Sequence, residues 1–583
     1  MKRQWDLSGI IPPLQGREYE ALLQGLEGEV KSLEGVRGRL DNFSGADLLE
    51  VIKIKERAAD IKSRLGAYAY LWFSGDTHDS EARAFLSKME NLSAEISNRT
   101  LFFSLWFKGL DDVRAAGLMK AVPVEYQYLL TRVRETRPYA LQESEEKIIN
   151  LKDISGSSAL VKLYDMITSS FSFTLEVEGK KRVMTQEELR NYAQNPDPRL
   201  RAAAYRELLA VFGDHGQVLG ELYRAIATDW KNENLTLRKY RNAAAVKNVA
   251  NDIPEEAYDA LLKTVRRKTS FFQEYFELKF KACGVEEFSR YHLYAPYEAK
   301  EKKYPYEDAV RMVLENFHSF SPRMAGLAEN VVKMNHIDVD IRKGKRSGAY
   351  CYPVSPTVVP YVLLNYNETV RNVFTLAHEL GHAVHDQLAS KHSVLNFRPP
   401  LPLAETASIF SETVLFDKVF AAEKDTEVRK GLLIAKLDDV YASVGRQVYF
   451  TVFEEVAHRM VADGAGVDEL KKEYYRQMVE QFGRMSVPQE FEWEWTYIPH
   501  IYHSPFYCYS YAFGNLLVLS LYERYKEEGQ GFIPQYLKIL EYGGSERPQK
   551  VLEEVGFDIC SPKFWESGFE IIGRMVSDLK ELR

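Results

Sequence analysis

His378-Glu379-Leu380-Gly381-His382 puts two imidazoles four residues apart, with a carboxyl next to the first. Residues i and i+4 of a helix stand one above the other, so both rings can reach a single cation. Glu379 is badly placed to share that cation. It is well placed to take a proton from a water that the cation activates. A core helix that merely carried His378, Glu379 and His382 would bury ionisable groups without partners, which proteins avoid. The pattern predicts a Zn²⁺ site of one ion per chain, built for hydrolysis.

A third ligand must come from elsewhere. His385 shares the helix face but lies about 10 Å beyond His378 along the axis, too far to join the same ion, and it is read as lining the cleft. The extended form of the motif would need Gly at 385 and His at 388; the chain has His385 and Leu388. Downstream, the prolines of Pro399-Pro400-Leu401-Pro402 end a loop and predict a second helix with Glu405 in its first turn and Glu412 two turns on. Glu405 is the expected third ligand and Glu412 the expected acceptor from a ligand imidazole. Three protein ligands leave a fourth position open, the arrangement of a catalytic site.

The positioning elements can be read outward from these residues. Asn367 is a plausible N-cap, and from Glu368 to about Leu388 there is no proline. Val370, Phe374, Ala377, Gly381 and Val384 recur at helical spacing, as a helix beside a core requires. The apolar run Val358 to Leu364 before it reads as a strand, within a mixed stretch from about 290 to 366. Residues 17 to about 170 alternate charged and apolar residues at helical spacing. Phe171 to Thr185 reads as a hairpin turning at Glu178-Gly179. Asn195-Pro196-Asp197-Pro198 suggests a boundary, giving a helical lobe over 1–197 and a second domain over 198–583. The fold class is mostly α, with a small sheet beside the metal helix.

At 583 residues the chain exceeds what one hydrophobic core supports, so two lobes are expected. A net charge of −8 argues against nucleic acid as a partner. No segment approaches twenty uninterrupted apolar residues and no apolar stretch follows Lys2-Arg3, so no membrane partner is expected. Cys283, Cys351, Cys508 and Cys560 are scattered without paired spacing and read as reduced thiols of a cytoplasmic protein. Nothing in the sequence sets an oligomeric state.

Four stretches together resemble the oligoendopeptidase F family of thimet-oligopeptidase-like zinc metallopeptidases. They are Asn372 through His385, Leu401 through Ser408, Lys345-Arg346-Ser347-Gly348-Ala349-Tyr350-Cys351, and the Tyr/His-rich segment from Tyr497 to Gly514. Their order and separation also fit, and the resemblance extends to the Trp5-Asp6-Leu7 opening. It implies a two-lobed helical zincin-type fold around a deep substrate channel that admits short unstructured peptides. It implies His378, His382 and Glu405 as zinc ligands and Glu379 as general base. The backbone around Gly348, Ala349 and Tyr350 would then pair with substrate as an added strand, and Gly348 and Ala349 are small enough for that approach.

The family meets the developing oxyanion with a His and tyrosines from its C-terminal segment. Here Ser504-Pro505 reads as an N-cap and first helical position, which would put Tyr507 and Tyr511 on one face and Tyr509 elsewhere. Among Tyr502, Tyr507, Tyr509 and Tyr511, the favoured donor is Tyr511, assisted by Tyr507 and by His500 on a preceding loop. The expected activity is cleavage of internal bonds in short peptides. An exopeptidase that grips a free carboxylate with Arg398 or Lys345 is the alternative. A zinc protein that binds peptides without cutting them leaves Glu379 and the open coordination position unexplained.

Overall fold

The computed structural model describes residues 3–297 and 302–582 and is mostly helical, as expected. Its contacts divide the chain into two compact units, each built from three separate stretches. The first comprises Met1–Ala140, Glu301–Ala421 and Arg524–Phe557; the second comprises Leu141–Lys300, Ala422–Glu523 and Asp558–Arg583. The boundary expected at 197/198 falls inside the second unit. Asp197 accepts the backbone N–H of Arg199 and caps the helix Pro198–Asp214, so the Asn-Pro-Asp-Pro signal marks a helix start.

In the first unit, long helices over Arg17–Gly35, Gly45–Gly75 and Ser80–Gly109 pack side by side. Against them lies a three-stranded sheet of β3 (Ile337–Asp338), β5 (Tyr361–Leu363) and β4 (Tyr350–Tyr352), in the order β3-β5-β4. Tyr70 stacks on Tyr352 and fixes the sheet to the helices, while Trp5, in the segment before the first helix, meets Tyr361 edge-on. The β5 strand sits within the expected run 358–364 and pairs parallel with β3 and antiparallel with β4. Helix α1 (Val370–Ala389) follows and packs on β4 and on the helices Tyr306–Phe320, Pro322–Lys333 and Ile533–Glu541. Its cap is Thr369, whose hydroxyl accepts the Asn372 N–H, in place of the expected Asn367. Glu368 has a positive φ of 56°, so the chain turns there before it can enter the helix. After α1 come a single turn, α2 (Leu401–Ala404), and the long α3 (Thr406–Ala422).

The second unit contains the expected hairpin, β1 (Phe173–Val177) and β2 (Lys180–Met184). Its two turn residues, Glu178 and Gly179, both have positive φ, as a tight antiparallel turn requires. Its helices include α4 (Arg446–Ala462), the short α5 (Pro499–His503) and α6 (Tyr509–Glu528), whose last residues from Arg524 on belong to the first unit. Arg290 and Glu494 form a fully buried ion pair at 2.6 Å. Tyr474 and Tyr497 donate to the same carboxylate, each at 3.0 Å, which anchors the chain just ahead of α5.

Candidate active site

Gly381 explains how α1 and α3 can come together. A Cβ at this position would lie 2.7 Å from the Ala407 carbonyl oxygen and 2.7 Å from the Ser408 Cα. With glycine there, the two backbones touch beside His378 and His382. Glu405 occupies the joint between α2 and α3 rather than the first turn of one continuous helix. Ser408 Oγ donates to a Glu405 carboxyl oxygen at 2.8 Å and steadies it there.

This joint brings a Glu405 oxygen to 3.4 Å from Nε2 of His378 and 3.4 Å from Nε2 of His382. One donor atom from each of the three residues lies within 4.8 Å of the others. Around Zn²⁺ with bonds of about 2.0–2.1 Å, neighbouring tetrahedral ligand atoms stand about 3.3–3.4 Å apart. The two oxygen–nitrogen separations match that spacing, and the two nitrogens lie within 4.8 Å of each other, so the donor set suits one zinc ion. Glu412 approaches the other face of His378, with an oxygen 3.5 Å from Nδ1. Burial disfavours the charged imidazole of His378, yet Glu405 and Glu412 outweigh that effect and raise its pKa to about 10. The cluster calls for positive charge at this point, from a proton or from a metal that replaces it.

Glu379 stands outside the donor trio. It is 5% exposed, and burial pushes its carboxyl up while the two imidazoles pull it down. The Cys351 backbone exerts a small further lowering effect on it. A cavity of about 400 Å³ opens here, lined by Ala349, Tyr350, His378, Glu379, His382 and Glu405 among others. His385 also lines it, but only 2% of the residue is exposed, and its buried Nδ1 has no hydrogen-bond partner. Burial drives its pKa down to about 3, so it is neutral.

Gly348 has a φ of +83°, which suits glycine, and its carbonyl accepts from Asn365. It lies just before β4, one of the two edge strands of its sheet. The Val362 and Leu364 N–H groups bond β3, so the pairs joining β4 to β5 are Tyr350–Leu363 and Tyr352–Tyr361. The backbones of Ala349 and Cys351 consequently face the open edge.

Sequence reasoning passed over Cys351, Asp386 and Pro353 in this wall. Cys351 Sγ donates to Asp386 at 3.9 Å, and burial raises Asp386 to about 6. Asp386 lies eight residues after His378, so helical periodicity could have found it. Lys345, considered as a grip for a free carboxylate, is buried and committed. Its amine bonds Asp338 Oδ1 and the carbonyls of Asp338, Asp340 and Leu364. Arg398 is exposed on the cavity wall and bonds the Pro353 carbonyl at 2.8 Å.

In the second unit, His500, Tyr507 and Tyr511 form one cluster. The Tyr507 and Tyr511 rings meet edge-on at 5.3 Å, and the Tyr511 hydroxyl is 3.5 Å from His500 Nε2. Burial, then the charges of His503 and Arg446, lower the pKa of His500. Tyr502 and Tyr509 are buried; Tyr502 donates to the Leu219 carbonyl and Tyr509 accepts from Asn251. The expected helix start at Ser504-Pro505 is not found. His500 belongs to a short helix that ends at His503, and α6 begins only at Tyr509. Between them Phe506 has a φ of 58°, which interrupts any helix.

A family model described as peptidase family M3 matches residues 191–571, and one described as oligopeptidase F matches residues 107–173. The chain belongs to peptidase family M3. Membership of the oligoendopeptidase F group within it agrees with the resemblance drawn from the motifs, and the chain is a metallopeptidase that hydrolyses peptides. Oligopeptidase PepF of Bacillus subtilis (strain 168) is 26% identical, over 99% of this chain and 87% of that protein. An oligoendopeptidase F homolog of Lactococcus lactis subsp. lactis (strain IL1403) is also 26% identical, over 100% of this chain and 97% of its own. Two solved structures share the fold of this M3 peptidase. A Chlamydophila abortus chain has a TM-score of 0.89 at 23% identity, covering 100% and 98% of the two chains. The Enterococcus faecium oligoendopeptidase-F has 0.73 at 22%, covering 97% and 98%.

Proposed function

We propose that this peptidase is a zinc-dependent endopeptidase cutting internal bonds of short, unstructured peptides. The observation that carries the reading is the His378–His382–Glu405 donor set, with Glu405 at the separation from each imidazole that tetrahedral zinc ligands have, and the Glu379 carboxyl beside it. A bound Zn²⁺ would supply Lewis acidity, making the attacking water more acidic and polarising the scissile carbonyl. Glu379 then accepts the proton of that water and passes it to the leaving amine. The residue is 5% exposed and lines the same cavity as the donor set.

Substrate binds as an extended strand along β4. The pairing falls to the Ala349 and Cys351 backbones on the open edge, next to the turn that Gly348 permits. Tyr511 and His500, with Tyr507, act as donors to the oxyanion. A cytoplasmic location remains part of this reading and is supported by four free cysteines.

The exopeptidase alternative rests on one observation, the exposed Arg398 guanidinium on the cavity wall. Mass spectrometry of a short-peptide library, free and end-blocked, separates the two readings. The endopeptidase cuts both forms internally, whereas dependence on a free terminus, lost in Arg398→Gln, would favour the exopeptidase. Glu379→Gln should hold its metal and lose roughly 10²–10⁴-fold in kcat. Wild-type turnover in that variant would remove Glu379 from the mechanism.

A further inference from the structure

The loop joining α5 to α6 is held in a conformation that its own residues do not favour. Phe506 sits in the left-handed region with a φ of 58°, a conformation that disfavours large side chains. Its ring is buried, packed on His458 at 4.9 Å and facing Trp230 at 6.4 Å. Its N–H donates to Glu454 Oε1 at 2.8 Å, across 52 residues of chain. Glu454 lies on α4 and has no exposed surface. Its second oxygen has no protein partner. A buried carboxyl with a single hydrogen bond is an expensive way to fill space that a leucine could fill, so the bond itself is the feature to explain.

What the bond fixes is visible on either side. Ser504 donates its N–H to the His500 carbonyl, and Tyr507 donates its own to Ser504. Lys247, on the helix Ala245–Asn251, donates to Ser504 Oγ at 3.2 Å and lies 5.3 Å from the Tyr507 ring centroid. Reversing the φ of Phe506 would redirect the chain between His500 on one side and Tyr507 and Tyr511 on the other.

We propose that Glu454 is a positioning residue for the peptidase reaction: by holding the Phe506 peptide in the left-handed region, it sets Tyr507 and Tyr511 against His500. This rests on the reading of those three residues as oxyanion donors. Glu454 itself touches no reacting atom.

The test uses Glu454→Gln, Glu454→Asp and Glu454→Leu in the full chain, alongside Tyr511→Phe. kcat and KM are measured on one peptide, and crystal structures are determined for the Asp and Leu variants. Gln keeps the shape and an acceptor oxygen, so its kcat should stay near wild type. Asp draws the acceptor back by one methylene and Leu removes it. Both should lower kcat by about tenfold or more with little change in KM, and add nothing further in a Tyr511→Phe background. Phe506 should leave the left-handed region in both crystal structures. Wild-type kcat in Asp and Leu, losses that add fully to that of Tyr511→Phe, or an unmoved Phe506 would each overturn the proposal. If the Leu variant fails to fold, the Asp variant decides. Wild-type kcat in Tyr511→Phe would instead overturn the oxyanion reading, and the Phe506 conformation would still judge the role of Glu454.

Discussion

In the first unit, His378, Glu379 and His382 ride on one twenty-residue helix, and their mutual geometry follows from the helix repeat. Only Glu405 arrives from another element, seated by the contact at Gly381. In the second unit, His500 lies on a five-residue helix, Tyr507 on a loop and Tyr511 near the start of α6. Short backbone bonds run from His500 through Ser504 to Tyr507, but no regular element spans the three; Glu454 and Lys247, far off in sequence, hold the loop between them. One cluster is specified by regular structure and the other by tertiary bonds to irregular structure. The first should fail when a ligand or a close contact is altered, and the second when a remote anchor is altered.

The largest effect belongs to the ligand set. Glu405→Ala removes the only carboxylate of the trio and leaves two imidazoles. Zinc affinity should fall by more than the roughly 10–100-fold typical of losing an outer-sphere partner. Chelator-competition titration measures it. Unchanged zinc affinity would mean that the ion is held elsewhere.

Gly381→Ala tests whether the contact between α1 and α3 seats Glu405. The added methyl would meet backbone at 2.7 Å, and backbone cannot swing aside as a side-chain tip can. Overpacking of this kind costs about 1–3 kcal/mol. We expect a lower Tm together with weaker zinc binding, although no ligand has changed. A lower Tm with intact zinc affinity would show that Glu405 is placed independently of this contact.

The same contrast explains what the sequence could reveal. The helix repeat made His378, Glu379 and His382 readable as a unit, and the two-residue turn made the hairpin at Glu178-Gly179 readable. Glu405 was readable because prolines announced a new helix, although the break directly at Glu405 was not. Ser504-Pro505 misled, because an N-cap followed by proline is a local signal and the bond from Phe506 to Glu454 overrides it. The two-unit division was hidden for a related reason. Each unit is assembled from three stretches, and a single linker signal cannot mark such borders. Lys345 shows the converse limit, since a lysine in a signature segment looked available for substrate until its four oxygen partners came into view.

The smallest expected effect concerns the electrostatics of the remote anchor. Burial raises the pKa of Glu454 from 4.5 to about 8, partly countered by the Phe506 N–H and Lys247, while Glu455 adds to the rise. Below the unfolded value of 4.5 both states are protonated and the shift has no effect on stability. Between 4.5 and 8 the unfolded chain releases this proton while the folded protein keeps it, so the folded state binds more protons and loses stability as pH rises. Above about 8 the loss is complete. Glu454→Gln cannot titrate and should escape it. Its Tm should therefore gain on that of wild type by a few degrees (~2–5 °C) between pH 5 and 8.5, with no gain below pH 4.5. Calorimetry of both proteins at the same zinc loading checks this. Parallel pH profiles would show that the Glu454 carboxyl is already ionised in the folded protein. The Phe506 N–H would then be held by a charge, and Glu454→Gln would no longer be the neutral match for the native anchor.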